Sequence, residues 1–233
     1  MPETVFLAGA TGAIGKVLAP RLIRAGYTVF GTTRRADRVA VLIEAGVVPV
    51  VVDVFDADAL TAALAEAKPD IVIHQLTDLP FGLDPAQMAE GRIRNARLRE
   101  VGTANLVNAA SKAGAGRMIS QSIAWVYQPG NTPHREEDPL QDSAQAIMTL
   151  ERLTLRTSGI AGTVLRYGAL YGPATGADSP SGNITVHVDD AAEAALLAVR
   201  QSVDGIFNIV EDSPEVSNEK ARSLLGWRPS FGK

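Results

Sequence analysis

The sequence predicts an α/β fold in which strands and helices alternate, and three observations carry that prediction. Short apolar runs alternate with amphipathic runs nearly from end to end. The first apolar run, Val5-Phe6-Leu7-Ala8, enters a turn with glycines at 9, 12 and 15, and an amphipathic run leaves it. At 233 residues and 46% hydrophobic content, the chain is long enough to core one sizeable domain.

In the turn Gly9-Ala10-Thr11-Gly12-Ala13-Ile14-Gly15 each glycine has a task. Gly9 lets the chain turn out of the strand. Gly12 has no Cβ to keep a pyrophosphate off the backbone, and Gly15 lets the helix pack close to the strand. The N–H groups around Thr11, Ala13 and Ile14 then face the phosphates at the positive end of the helix. The spacing is G-x-x-G-x-x-G rather than the G-x-G-x-x-G of the standard fingerprint. A Gly-rich turn without a ligand is the alternative, but a strand before and a helix after are the context a dinucleotide site needs.

The first helix covers 14–25, Gly26 ends it, and 27–33 is the second strand. Arg34, Arg35 and Arg38 follow at once. This strand end meets the adenosine ribose in a dinucleotide fold. A carboxylate there would take a free 2′-OH, whereas arginines would pair with a 2′-phosphate. Three arginines and no acid at that point favour NADP over NAD, with a solvated basic helix start as the alternative.

A second helix runs to residue 45, and 47–52 is the third strand, ending at Asp53-Val54. The Asp53 carboxylate is placed to accept from an adenine amino group or to cap the next helix. That helix covers 57–67, and 71–75 is the fourth strand, from which Gln75 and Leu76 lead toward the cofactor. His74, at the end of an apolar strand, reads as a satisfied buried imidazole. A loop at 76–85 precedes a long helical stretch, 85–113, whose Arg92, Arg94, Arg97 and Arg99 suit an anionic substrate, a partner helix or a solvated face. Strand five is 118–122, a helix covers 140–158, and strand six is 160–166. Asp189-Asp190 is suited to capping a helix over 191–199, and 205–210 is the last strand. Trp227 and Pro229 are expected to pack the C-terminus down.

The bulk properties exclude several classes. A net charge of -4 gives no sign of a nucleic-acid surface, and the absence of cysteine removes disulfides and thiolate chemistry. His74, His134 and His187 lie far apart in the sequence, against a metal site. No apolar run is long enough to span a bilayer, and the first strand starts too early to leave room for a signal peptide. A cytoplasmic protein with a small-molecule substrate is expected.

Several motifs together resemble the extended short-chain dehydrogenase/reductase family, in particular its epimerase/dehydratase group. Beside Gly9-Ala10-Thr11-Gly12-Ala13-Ile14-Gly15 they are Pro69-Asp70-Ile71-Val72-Ile73-His74 and Gly102-Thr103-Ala104-Asn105-Leu106. The others are Leu165-Arg166-Tyr167-Gly168, Val186-His187-Val188-Asp189-Asp190 and Leu225-Gly226-Trp227-Arg228-Pro229. The resemblance implies a Rossmann-type, doubly wound parallel sheet. It divides the chain into a dinucleotide-binding core at 1–172 and a C-terminal part at 173–233 that holds a small substrate region and completes the fold. It also implies hydride transfer on a small carbonyl or sugar-type substrate, and a homodimer through the long helices after strands four and five.

The same resemblance exposes a departure. Catalysis in this family uses a Ser and a Tyr-x-x-x-Lys pair, the ammonium lowering the pKa of the phenol that exchanges the proton. None of the four tyrosines here has Lys four residues on, and no lysine lies between Lys112 and Lys220. Aligning the helix by Glu151-Arg152 puts Ser143 and Ile147 at the two positions. Ser122 is the best match for the serine, and Tyr127 is the candidate replacement for the proton donor. Arg152 and Arg156 are the nearby cations, but arginine stays charged and cannot shuttle a proton. Two readings follow: an NADP-dependent oxidoreductase or epimerase-like enzyme, or an NADP-binding sensor that has lost its proton relay. The segments at 174–182 and 212–217 are also short for the family. Abrupt joins at Asp178-Ser179 and near Glu215-Val216 fit either a minimal member or a chain that lacks loop residues there.

Overall fold

The structure is a computed structural model and describes residues 2–231. Seven strands form one parallel sheet: β1 (Thr4–Ala8), β2 (Thr28–Thr33), β3 (Val48–Val51), β4 (Ile71–His74), β5 (Arg117–Ile123), β6 (Ala161–Tyr167) and β9 (Gly205–Ile209). Their order across the sheet is β3-β2-β1-β4-β5-β6-β9. Successive connections from β1 lead out to β2 and β3, and the chain then returns to place β4 on the other flank of β1. The strand order therefore reverses beside β1, and a crevice opens there at the carboxyl ends of the strands.

Apart from the edge strand β3, both faces of the sheet are covered, which is why the strands read as apolar runs rather than alternating ones. Val5, Leu7, Ile71 and Ile73 pack beneath α1 (Ala13–Arg24) and α7 (Val188–Gln201). Phe6, Ala8, Val72 and Met118 pack on the opposite face beneath α3 (Ala57–Ala67) and α5 (Thr103–Ala113). Helix α6 (Gln145–Arg156) lies beside α5, on the β5 and β6 side.

Three elements differ from the sequence expectation. The helix after β2 is only α2 (Val39–Glu44), preceded by a single 3₁₀ turn, Ala36–Arg38. The long helical stretch is α4 (Met88–Arg97) joined to α5 through a π-helical turn, Leu98–Gly102. A small parallel pair, β7 (Ala169–Tyr171) and β8 (Thr185–His187), follows β6 and was not foreseen; its strands are too short for a periodicity to show.

The Asp189-Asp190 cap is corrected as well. The cap of α7 is His187, whose Nδ1 accepts from the Asp189 N–H at 3.2 Å. Asp189 instead pairs with Arg21 of α1 at 2.6 Å. Asp190 is buried and gathers the C-terminal tail, accepting from the Ser230 hydroxyl at 2.6 Å and from the N–H groups of Ser230 and Phe231. Its carbonyl takes the Trp227 indole N–H at 2.9 Å, and Trp227 is wholly buried, so the tail is packed down as expected.

Candidate functional site

The turn between β1 and α1 is shaped by close backbone contacts. Gly9 has φ +95°, and its N–H donates to Thr32 Oγ1 at 3.1 Å, tying the turn to the end of β2. A Cβ on Gly9 would lie 2.7 Å from the Gln75 carbonyl, and one on Gly15 would lie 2.2 Å from the Gly9 carbonyl. Gly12 differs: its φ of -75° is ordinary, and a Cβ there would meet only the Gly9 carbonyl, at 3.3 Å.

Helix α1 begins without a side-chain cap and without an acid in its first turn. The N–H groups of Ala13, Ile14 and Gly15 have no acceptor among the described residues. By contrast α3 is capped by Asp56, which accepts from the Ala59 N–H at 3.0 Å. An uncapped helix start beside bare glycine backbone is a ready site for a diphosphate.

The crevice in front of this turn is open to solvent and has a cavity volume of about 170 Å³. Gly9, Thr11 and Gly12 form its floor, and Thr32, Thr33 and Arg34 form one side. Val52, Val54, Leu60, Leu76 and Leu98 make its apolar part. Gln75 and Thr77 close the far wall. Gln75 is buried, its Nε2 donates to the Tyr167 hydroxyl at 3.3 Å, and its Oε1 has no partner among the described residues. An orphaned acceptor in the wall, glycine backbone at Gly9 and Gly12 in the floor and an uncapped helix start all fit a dinucleotide.

The remaining candidates from the sequence fall in different places. Ala13, Ile14 and Gly15 lie in the first turn of α1 behind the floor. Arg35 is turned onto Asp37, with Nε 3.0 Å from Oδ1 and Nη2 2.5 Å from Oδ2, and does not line the crevice. The pairing raises the guanidinium pKa and lowers the carboxyl of Asp37. An acid therefore does stand near the end of β2, but in the 3₁₀ turn and engaged. Asp53 makes a local turn, accepting from the Phe55 N–H at 3.0 Å, and the cap of α3 falls to Asp56. Thr32, Thr33, Leu60, Thr77 and Leu98 were not singled out from the sequence. The two threonines end β2 beside Arg34, which was a usable signal; Leu98 is brought in by the π-helical turn, which was not.

Ser122 and Tyr127 lie outside the crevice lining, in a buried polar network around Arg166. Arg166 grips Glu151 with Nε on Oε1 at 2.8 Å and Nη2 on Oε2 at 2.7 Å. The Ser122 hydroxyl donates to Glu151 Oε1 at 2.7 Å. The Tyr127 hydroxyl donates to Asn208 Oδ1 at 2.6 Å and accepts from Arg166 Nη1 at 2.9 Å. Burial raises the Tyr127 phenol, against the opposing pull of Arg166, so it stays protonated. Burial alone would lower the Arg166 guanidinium, but the Glu151 carboxylate outweighs it and holds the cation charged.

At the two positions matched to the Tyr–Lys pair, Ser143 lies in the 3₁₀ turn before α6 and Ile147 packs with Val126 and Ala144. His74 is wholly buried: its Nδ1 accepts from the Leu76 N–H at 3.2 Å and its Nε2 meets Thr103 Oγ1 at 3.0 Å. Burial, with Arg99 second, pushes its pKa down to about 4, so the ring is neutral and both nitrogens are engaged.

The crevice at the reversal of a parallel sheet, with its bare glycine turn, defines a dinucleotide-binding α/β protein. The chain belongs to the NAD(P)H-binding family, whose model matches residues 9–202. It is 39% identical to a 3-diazoavenalumate denitrifying reductase of a Streptomyces species, over 98% of this chain and 80% of that protein. It is 28% identical to a probable NADP-dependent dehydrogenase of Haemophilus influenzae, over 98% of this chain and 95% of that one. Its fold matches the UDP-glucose 4-epimerase of Thermus thermophilus, crystallised with NAD, at a TM-score of 0.80 and 20% identity, over 99% and 95% of the two chains. Relatives in sequence are thus reductases and dehydrogenases, and the epimerase likeness is one of fold. Among the described residues no helix is long and apolar enough to cross a membrane, and no cluster of His, Cys, Asp and Glu could hold a metal ion.

Proposed function

We propose that this chain is an NADP(H)-dependent reductase of a small organic electrophile. The observation that carries the cofactor preference is the charge of the crevice: its lining holds one ionised side chain, Arg34, and no carboxylate. A free ribose 2′-OH favours a carboxylate partner, and a 2′-phosphate favours a guanidinium. Thr11, Gly12 and the first turn of α1 would hold the diphosphate, and Val52, Val54, Leu60 and Leu98 the adenine. When bound, the reduced dinucleotide supplies a hydride.

The nature of the acceptor follows from what the chain lacks. A carbonyl that gains a hydride becomes an alkoxide and needs a proton in the same step. Ser143 and Ile147 supply no acid, and the hydroxyls of Ser122 and Tyr127 are committed to Glu151 and Asn208. A diazonium group is already cationic; with a hydride it can depart as dinitrogen and leave no alkoxide behind. The 39% identical relative, named for a diazo substrate, supports this class ahead of carbonyl and sugar-type substrates. In this reading Ser122, Glu151, Arg166 and Tyr127 are positioning residues that hold the ends of β5 and β6 against α6.

The test is a fluorescence titration with NADPH and NADH, followed by loss of NADPH absorbance over a panel of aryl diazo compounds, aldehydes, ketones and nucleotide sugars. Consumption with diazo compounds alone is the expected result. Turnover of carbonyls alone would overturn the acceptor class. The absence of any lysine between Lys112 and Lys220 also favours a second reading, an NADP-binding sensor. Tight binding with no turnover on any compound would select it.

A further inference from the structure

Asp78 stands at the mouth of the crevice, one residue beyond the lining residue Thr77. Its N–H donates to Asn95 Oδ1 at 2.9 Å, and Asn95 is buried in α4. The loop after β4 is thereby pinned to α4 at this residue. Its carboxylate, mostly buried, lies between two half-exposed cations: Arg34 Nη1 is 3.8 Å from Oδ2, and Arg94 Nε is 3.6 Å from Oδ1. Neither separation is a hydrogen bond. The neighbouring arginines are otherwise occupied, Arg35 by Asp37 and Arg97 by the Phe55 ring, 4.5 Å below it. Arg94 has a second acid, Glu90, only at 3.8 Å.

We propose that Asp78 is the resident counter-ion of the ribose-phosphate subsite and that it sets the size of the preference for NADP. The inference rests on the reading of this crevice as an NADP site and extends it to a residue that no motif marks. Asp78 neutralises Arg34 and Arg94 while the crevice is open. A phosphate dianion carries twice the charge of a carboxylate and offers three oxygens, so it takes Arg34 from Asp78. Asp78 stays close by, held through Asn95, and its charge opposes the dianion. A ribose 2′-OH meets no such opposition. Asp78 therefore lowers affinity for the phosphorylated ribose without opposing the unphosphorylated one.

The experiment measures binding of 2′,5′-ADP and 5′-AMP by calorimetry, with no turnover involved. Wild type is expected to bind 2′,5′-ADP more tightly. Asp78→Asn, which keeps the N–H bond to Asn95, is expected to tighten 2′,5′-ADP about three- to tenfold at physiological salt and to leave 5′-AMP within about twofold. Arg94→Gln leaves Asp78 to bear on Arg34 alone and is expected to weaken 2′,5′-ADP about twofold or more. It guards against a fold defect in the first variant. If Asp78→Asn changes neither ligand, or both equally, the counter-ion role fails while the wild-type preference stands. If wild type binds 5′-AMP as tightly as 2′,5′-ADP, the NADP reading fails, and the role of Asp78 with it.

Discussion

Gly12 and Gly15 sit three residues apart in one turn, and their alanine variants should fail in opposite ways. A Cβ on Gly15 would lie 2.2 Å from the Gly9 carbonyl and 2.8 Å from two backbone atoms of Ala10. Backbone on both sides cannot swing away, so α1 would have to lift from β1. Overpacking of this kind costs about 3 kcal/mol, or about 6–12 °C in Tm for a chain of this size. A Cβ on Gly12 has one neighbour within 4 Å, the Gly9 carbonyl at 3.3 Å, and the backbone there is already in an ordinary extended conformation. That substitution should cost under about 1 kcal/mol of stability. Its methyl would instead occupy the crevice floor and weaken NADPH binding by about ten- to hundredfold, or about 1.4–2.8 kcal/mol. Thermal denaturation and a fluorescence titration, run side by side, separate the two effects. Wild-type affinity in Gly12→Ala, or an unchanged Tm in Gly15→Ala, would refute the assignment of one glycine to the ligand and the other to the fold.

Two further predictions concern the buried polar groups. Glu151→Gln leaves the Arg166 cation buried without its carboxylate and should cost about 3–5 kcal/mol in urea denaturation; a loss below about 1 kcal/mol would mean that water or Tyr127 compensates. His74 has a folded pKa near 4, below its unfolded value, so the unfolded chain binds the extra proton in between. Its contribution is fully present above pH ~6.5 and is lost as pH falls toward ~4, amounting to about 3 kcal/mol. His74→Gln should flatten the stability profile in that window, and an unaltered slope would place the acid sensitivity elsewhere.

The alternation of apolar and amphipathic runs was sufficient to place all seven sheet strands along the chain, together with α1 and α3, because elements that pack on the core carry long, uninterrupted signals. The glycine turn was legible for the same reason: only glycine tolerates the φ of Gly9 and the contact at Gly15, so the constraint is written in residue type. Arg34 was visible too, as a cation at the end of β2. What the sequence could not separate was Arg34 from Arg35, since their difference is that Arg35 turns onto Asp37 in the 3₁₀ turn while Arg34 lines the crevice. Nor could it show that Ser122 and Tyr127 face Glu151, Arg166 and Asn208, groups 29 to 81 residues away whose hydrogen bonds exist only once β5, β6 and β9 lie side by side. Local sequence sets conformation at a residue; which polar groups meet across the sheet is settled by register and packing, and that is where the fate of the site's hydroxyls was decided.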